Sequence, residues 1–162
     1  MSMNAYMTSL TPALLERIRH DPDSLSTYLI DQRKLSDTLQ LHKMWQALHF
    51  MLTGTAWESD GALGQAVLGG EDVGPSLGYG PARVLSPIAV RETAEALGTI
   101  SSGDFKARFD PKEMEAQDIY PSGIWEREKD TIPNELAMLF ERLVAFYRAA
   151  ASRNEGALLW MS

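Results

Sequence analysis

The run Ala157-Leu158-Leu159-Trp160-Met161 decides the fold class, because it is short and has no polar face. A strand with one solvated face alternates apolar and polar residues, whereas a uniformly apolar run fits a strand buried on both faces. We therefore expect this run inside a sheet, beside a short N-terminal strand within residues 3–10 that contains Tyr6 and Leu10. Helical patterns occupy much of the chain between them. The predicted class is α+β, with several helices packed around a small sheet that includes the N- and C-terminal strands.

Two segments have the strongest helical periodicity. Leu41 to Leu52 repeats apolar residues at steps of three and four, and Gly54 follows as a left-handed cap. Pro133 to Ala151 has a broad apolar face, which predicts a helix central to the core. These faces are expected to share one core with the C-terminal strand. The residues predicted to meet there are Trp45, Leu48, Leu139, Phe140, Leu143, Leu158 and Trp160.

The centre of the chain is rich in glycine and predicts mainly loops. Within it, Ala66-Val67-Leu68 is expected to form a brief buried strand, and Gly69 to Gly74 a flexible acidic loop. Ala82 to Leu85 predicts a further strand. Thr11-Pro12 and Ser86-Pro87 each predict a helix start, since a hydroxyl can cap the helix and proline suits its first position.

The composition fits one domain spanning residues 1–162, with 44% hydrophobic and 23% charged residues. The absence of cysteine excludes a thiolate nucleophile, a disulfide framework and Cys-ligated metal sites, and it fits a cytoplasmic protein. No secretory signal and no membrane-spanning run is recognised. The net charge of −7 disfavours nucleic acids and anionic membranes as partners and leaves room for a basic protein partner. Solubility alone is the simpler explanation of that charge.

Several motifs spread along the chain are similar to those of one protein family. They are Trp45 to Thr55 (WQALHFMLTGT), Gly64 to Gly70 (GQAVLGG), Asp118 to Pro121 (DIYP), Phe146-Tyr147-Arg148 in the last helix, and the N-terminal segment Met3 to Tyr6. With the closing apolar strand, they make the chain resemble the YfbM-like family of uncharacterised bacterial proteins over nearly its whole length. The resemblance implies a compact α+β domain of bacterial origin. It implies no reaction and no catalytic residue.

His42 and His49 are the candidates for metal or acid–base chemistry. On one predicted helix they lie two turns, or about 10 Å, apart, which is too far to bind one ion readily because helical zinc pairs sit one turn apart. His49 falls on the apolar stripe, so a core histidine with hydrogen-bonded ring nitrogens is the favoured interpretation. The alternative is a general base beside the turn Thr53-Gly54-Thr55. No zinc or calcium site and no cofactor is predicted.

The same turn suggests a small-molecule pocket. His49, Thr53, Trp57 and Asp60 could line it, and these four residues are called the predicted pocket. A helix cap followed by a turn with local side-chain hydrogen bonds is the simpler interpretation, because turns favour these residue types.

Acidic residues suggest a second kind of site. Glu71 and Asp72 follow two glycines but lack the lysine and hydroxyl of a phosphate loop, and one acidic pair offers too few ligands for calcium. Together with Glu58 and Asp60 they are the predicted acidic surface. The favoured function is a protein-binding domain, of an immunity or regulatory type, that neutralises a basic, toxin-like protein through this surface. The alternative is a small-molecule-binding protein or enzyme that uses the predicted pocket. A non-enzyme is expected because no catalytic motif is present.

Overall fold

A computed structural model describes residues 2–32 and 38–162, and within 30–32 it describes the backbone alone. The strands are β1 (Ala5–Leu10), β2 (Leu39–His42), β3 (Glu71–Ser76), β4 (Pro81–Leu85) and β5 (Gly156–Met161). The helices are α1 (Pro12–His20), α2 (Leu25–Gln32), α3 (Trp45–Thr53), α4 (Gly61–Leu68), α5 (Pro87–Gly98), α6 (Ser102–Lys106), α7 (Pro111–Ala116) and α8 (Ile132–Ser152). No helix among these residues is both long enough and apolar enough to cross a membrane.

The five strands form one antiparallel sheet in the order β2-β1-β5-β4-β3. The apolar strand β5 lies at its centre and pairs with β1 on one side and β4 on the other. Tyr6 is opposite Trp160 in the first pairing, and Arg83 is opposite Leu159 in the second. The predicted α+β class, with the N- and C-terminal strands side by side in the sheet, is confirmed.

Two hydrophobic cores cover the two faces of the sheet. Because successive side chains of a strand point to opposite faces, Ala157 and Leu159 pack in the larger core, which includes residues of α3 and α8. Leu158 and Trp160 pack in the smaller core with residues of α1 and α2. The prediction that these two residues share a core with α3 and α8 was therefore wrong.

The predicted helix starts and the glycine cap are confirmed. The Oγ1 atom of Thr11 accepts a hydrogen bond from the Leu14 amide (3.2 Å), and the Oγ atom of Ser86 accepts one from the Ala89 amide (3.1 Å). Gly54 ends α3 in the left-handed conformation with φ 77°. These signals are local, so they can be recognised without knowledge of the tertiary fold.

Three local predictions were wrong. The helix predicted from Leu41 begins only at Trp45, because Leu41 lies in β2. Both residues are buried in the larger core. A strand followed by a turn has therefore placed buried residues at the spacing of a helix. Residues 66–68 belong to α4, which passes so close to the preceding loop that a Cβ atom on Gly64 would lie 2.6 Å from the carbonyl carbon of Ser59. Residues 71–74 are not a loop, because they lie in the edge strand β3, which pairs with β4.

Candidate aromatic cleft

A cleft of about 380 Å³ opens beside α3 and the β3–β4 hairpin. We call it the aromatic cleft. Its lining consists of Trp45, Trp57, Tyr79, Arg83 and the apolar side chains of Met3, Leu68, Pro81 and Met161.

Aromatic side chains form much of its wall. Trp45 is buried, and its ring centroid lies 5.9 Å from that of Trp57 and 5.9 Å from that of Tyr120, which stacks on it. Trp57 is 65% exposed and Tyr79 is 39% exposed. Large aromatic side chains left in solvent at a concave surface are typical of a binding site.

Gln46 fixes the loop that contains Trp57. Its side chain is buried, and its Nε2 atom donates a hydrogen bond to the Ala56 carbonyl oxygen at 3.2 Å. Its Oε1 atom accepts one from the Tyr120 amide at 2.8 Å. Both ends of one side-chain amide therefore link the Trp57 loop to the residue that stacks on Trp45.

Met3 completes this wall through its backbone. Its amide donates to the Tyr120 hydroxyl oxygen at 3.0 Å, and its carbonyl oxygen accepts from Nε1 of Trp45 at 3.3 Å. The polar atoms of the two stacked rings are thus used internally, which leaves their faces available for packing.

The tip of the β3–β4 hairpin presents Tyr79. The residue lies between Gly78 (φ 109°) and Gly80 (φ 93°). Both glycines have positive φ angles, which residues with a Cβ atom rarely adopt. A hydrogen bond from the Leu77 amide to the Gly80 carbonyl oxygen (2.9 Å) closes the turn. The turn therefore places an aromatic ring at the cleft.

Arg83 supplies a fixed positive charge in the cleft. Its Nη1 atom donates to the Gly69 carbonyl oxygen (2.9 Å) and its Nη2 atom to the Val67 carbonyl oxygen (3.2 Å), so it caps the end of α4. Burial lowers the pKa of its guanidinium, an effect opposed by Tyr147 and Asp72, and arginine keeps its charge in proteins. It forms no ion pair with any carboxylate in the described part of the chain.

His49 lies in the core and not on the cleft. Its side chain is fully buried, and neither ring nitrogen has a hydrogen-bond partner among the described residues. Burial lowers the pKa of its imidazole to about 4; the backbone of Glu58 opposes this shift, and the charge of Arg83 adds to it. The ring is therefore neutral at pH 7. The core position predicted for His49 is correct, and the backbone of Glu58 is the polar group that acts on its ring.

The other residues of the predicted pocket have separate positions. The Thr53 hydroxyl donates to the His49 carbonyl oxygen (2.9 Å) and accepts from the Thr55 amide (3.1 Å), so it stabilises the turn. Asp60 is exposed at the N-cap position of α4, where its side chain makes no capping hydrogen bond. Of the four predicted pocket residues, Trp57 lines the aromatic cleft.

The predicted acidic residues occupy two elements. Glu58 and Asp60 are exposed on the loop before α4. Glu71 and Asp72 are exposed in β3, and as neighbours in a strand they point to opposite faces of the sheet. Asp72 is opposite Arg83 in the strand pairing and therefore lies on the same face as the arginine.

His42 is not on a helix with His49, as the sequence had predicted. It is the last residue of β2, it is exposed, and its φ angle of 51° is left-handed. Within residues 2–32 and 38–162, no group of three or more histidine, aspartate or glutamate side chains is arranged as a metal site.

Sequence reasoning missed Gln46, Tyr79 and Arg83. The sequence contained a signal for Tyr79 and one for Arg83. Tyr79 stands between two glycines, and Arg83 is the one charged residue in the short run Ala82 to Leu85. Gln46 had no local signal, because its partner Tyr120 is 74 positions away in the chain.

Comparisons with known proteins identify a family. No curated protein matches the chain in sequence. Its structure is similar to the crystal structure of YfbM from Escherichia coli, a protein of unknown function, with a TM-score of 0.77, 21% identity, and coverage of 98% of this chain and 99% of that chain. At this identity the likeness shows the fold alone. The profile of a domain of unknown function, DUF1877, matches residues 1–160, so the chain belongs to the DUF1877 family, in agreement with its YfbM-like motifs.

Proposed function

We propose that the protein binds a small molecule in the aromatic cleft. The ligand has a planar or apolar part that contacts Trp57 and Tyr79, and an anionic group that reaches Arg83. A concave, mainly apolar site with few polar groups is typical of small-molecule binding, and about 380 Å³ suits a ligand of modest size.

One observation supports this proposal above the others. Two exposed aromatic side chains and an arginine that forms no ion pair among the described residues line the same cleft. Capping of α4 explains why the guanidinium of Arg83 is fixed, but it does not explain why Trp57 and Tyr79 remain in solvent beside it. Arginine has five N–H donors, and the two hydrogen bonds to α4 leave others for a ligand.

Calorimetry with phenylacetate and phenylacetamide tests the proposal, because the two probes differ mainly in charge. We expect the acid to bind more tightly than the amide. Trp57→Ala should weaken binding of the acid about tenfold, the order lost when an aromatic contact is removed. Ile88→Ala is the matched control, since Ile88 is 59% exposed and lies outside the cleft. Equal binding of the two probes, or equal effects of the two substitutions, would contradict the proposal.

A basic protein partner is the second candidate, in the immunity or regulatory role. The observation that favours it is the position of the exposed Trp57 beside Glu58 and near Asp60, since an exposed aromatic residue with a charged rim is typical of an interface. Association should then slow as salt shortens the Debye length from about 10 Å at 0.1 M to about 3 Å at 1 M. Glu71 and Asp72 point to opposite faces of the sheet, so reversing the charge of only one of them should slow association. Insensitivity to salt and to charge reversal at each of Glu58, Asp60, Glu71 and Asp72 would refute this candidate. We propose a cytoplasmic location for either function, which the cysteine-free sequence supports.

A further inference from the structure

A second concave surface lies between α8 and the β1–β2 side of the sheet, and it shares no lining residue with the aromatic cleft. Its volume is about 830 Å³. Helix α8 contributes Arg142, Ala145, Phe146 and Ala149, and polar residues from the strands face them across the space. We call this surface the polar groove.

The sequence of α8 builds one wall of the polar groove. Arg142, Phe146, Ala149 and Arg153 recur at steps of three and four residues, so they lie on one helical face. The small side chains of Ala145 and Ala149 leave space between the two arginines. At 1.5 Å per residue, the Cα atoms of the two arginines are roughly 16 Å apart along the axis, so their side chains start from well-separated positions on this wall.

Of the two arginines, Arg142 is the one with an available charge. Arg153 forms an ion pair with Glu155, and its Nη2 atom donates to the Ser9 hydroxyl at 3.3 Å. Arg142 forms no ion pair with a carboxylate in the described ranges. The adjacent Glu141 accepts a hydrogen bond from Ser102 of α6 at 2.7 Å and does not line the groove.

The opposite wall offers polar side chains, and Glu155, a carboxylate in the lining, is paired with Arg153. The groove is lined there by the hydroxyl of Ser9, the amide of Gln40 and the imidazole of His42. Phe146 adds an apolar surface that a carbon skeleton can contact. An arginine without an ion pair among the described residues, polar side chains and an apolar patch in one groove match a small polar molecule with an anionic group.

We propose that the polar groove binds a small metabolite through a phosphate or carboxylate group, with Arg142 as its charged contact. The net charge of the chain is −7, so general attraction of anions does not account for such binding. This site is independent of the aromatic cleft, and its test can succeed or fail whatever the cleft binds.

Calorimetric titration of the intact protein with inorganic pyrophosphate and with citrate tests the proposal and distinguishes the two anionic groups. At least one probe should bind saturably. Arg142→Gln should weaken that binding about tenfold, because a hydrogen bond to a charged group contributes this order. Arg148→Gln is the matched control, since Arg148 is an exposed arginine of the same helix that does not line the groove.

A second pair of variants tests the groove without removing the arginine. Ala145→Glu places a carboxylate on the groove wall and should abolish binding, whereas Ala145→Gln has the same size without the charge and should retain most of it. Thermal unfolding of each variant checks that the fold is intact. No saturable binding at about 10 mM of either probe, equal losses in Arg142→Gln and Arg148→Gln, or unchanged binding in Ala145→Glu would each overturn the proposal.

Discussion

Replacing Gln46 with leucine should destabilise the fold and loosen the wall of the aromatic cleft. The substitution removes two hydrogen bonds, of 3.2 Å to the Ala56 carbonyl oxygen and 2.8 Å from the Tyr120 amide. Each bond contributes about 1 kcal/mol net, and each backbone group left without a partner costs about 1–3 kcal/mol if water does not reach it. Ala56 and Tyr120 are half-buried, so the low end of the penalty applies and the leucine recovers part of the loss by apolar burial. The expected loss of unfolding free energy is about 2–3 kcal/mol.

Denaturant unfolding measures this loss directly, and the thermal midpoint should fall by roughly 4–12 °C for a chain of this length. Gln117→Leu is the control, because Gln117 is exposed and its side chain donates to Glu113 one helical turn away. Its effect should stay within about 0.5 kcal/mol. Solvent should quench the fluorescence of Trp57 more strongly in Gln46→Leu, and Gln117→Leu should show no such change. Equal stabilities of the two variants would refute the structural role assigned to Gln46.

The remaining predictions concern the core, the close approach of α4 and the buried histidine. Leu143→Ala should lower the unfolding free energy by about 2–5 kcal/mol, since the side chain is fully buried; a loss below about 0.5 kcal/mol in denaturant titration would contradict the packing of α8. Gly64→Ala should destabilise the protein, because the new Cβ atom would meet the backbone of Ser59, whereas Gly98→Ala in the last turn of α5 meets nothing within 4 Å and should be neutral or stabilising. Equal thermal shifts for these two alanine variants would rule out the close approach. The pKa of His49 is lowered to about 4 in the folded state from 6.5, so the unfolded chain binds a proton first, and stability should fall by up to about 3 kcal/mol as pH drops from 6.5 to 4. His49→Leu should lack this component, and parallel pH–stability curves for the two proteins would disprove it.

The apolar strand β5 and the starts of α1 and α5 could be predicted because their signals are local. A hydroxyl followed by proline identifies the starts of α1 and α5, and a uniformly apolar run identifies β5. Periodicity was misleading at Leu41, since it reports burial and not the conformation of the backbone between buried residues. The sequence also could not assign Trp160 to one of the two cores, because β5 is apolar on both faces.

The candidate site was harder to predict because its parts are distant in the chain. Trp57 was found because it follows the turn that ends α3. Arg83 and Tyr79 reach the cleft through the β3–β4 hairpin, which the sequence had predicted in part as a flexible loop. Gln46 acts through Tyr120, and a contact over such a separation depends on the folded topology and leaves no pattern in either segment.

The central position of β5 has a consequence for protein synthesis. A ribosome synthesises β1, β2, β3 and β4 before β5, so until then the chain lacks the strand that joins β1 to β4. About 70 residues separate Leu85 from Gly156, and at about 5–20 residues per second their translation takes roughly 4–14 s. During that interval the edges of β1 and β4 that later pair with β5 have no partner, and unpaired edges promote aggregation. The yield of folded protein in a cell should therefore depend on the rate at which the last strand is translated and on chaperones that cover those two edges.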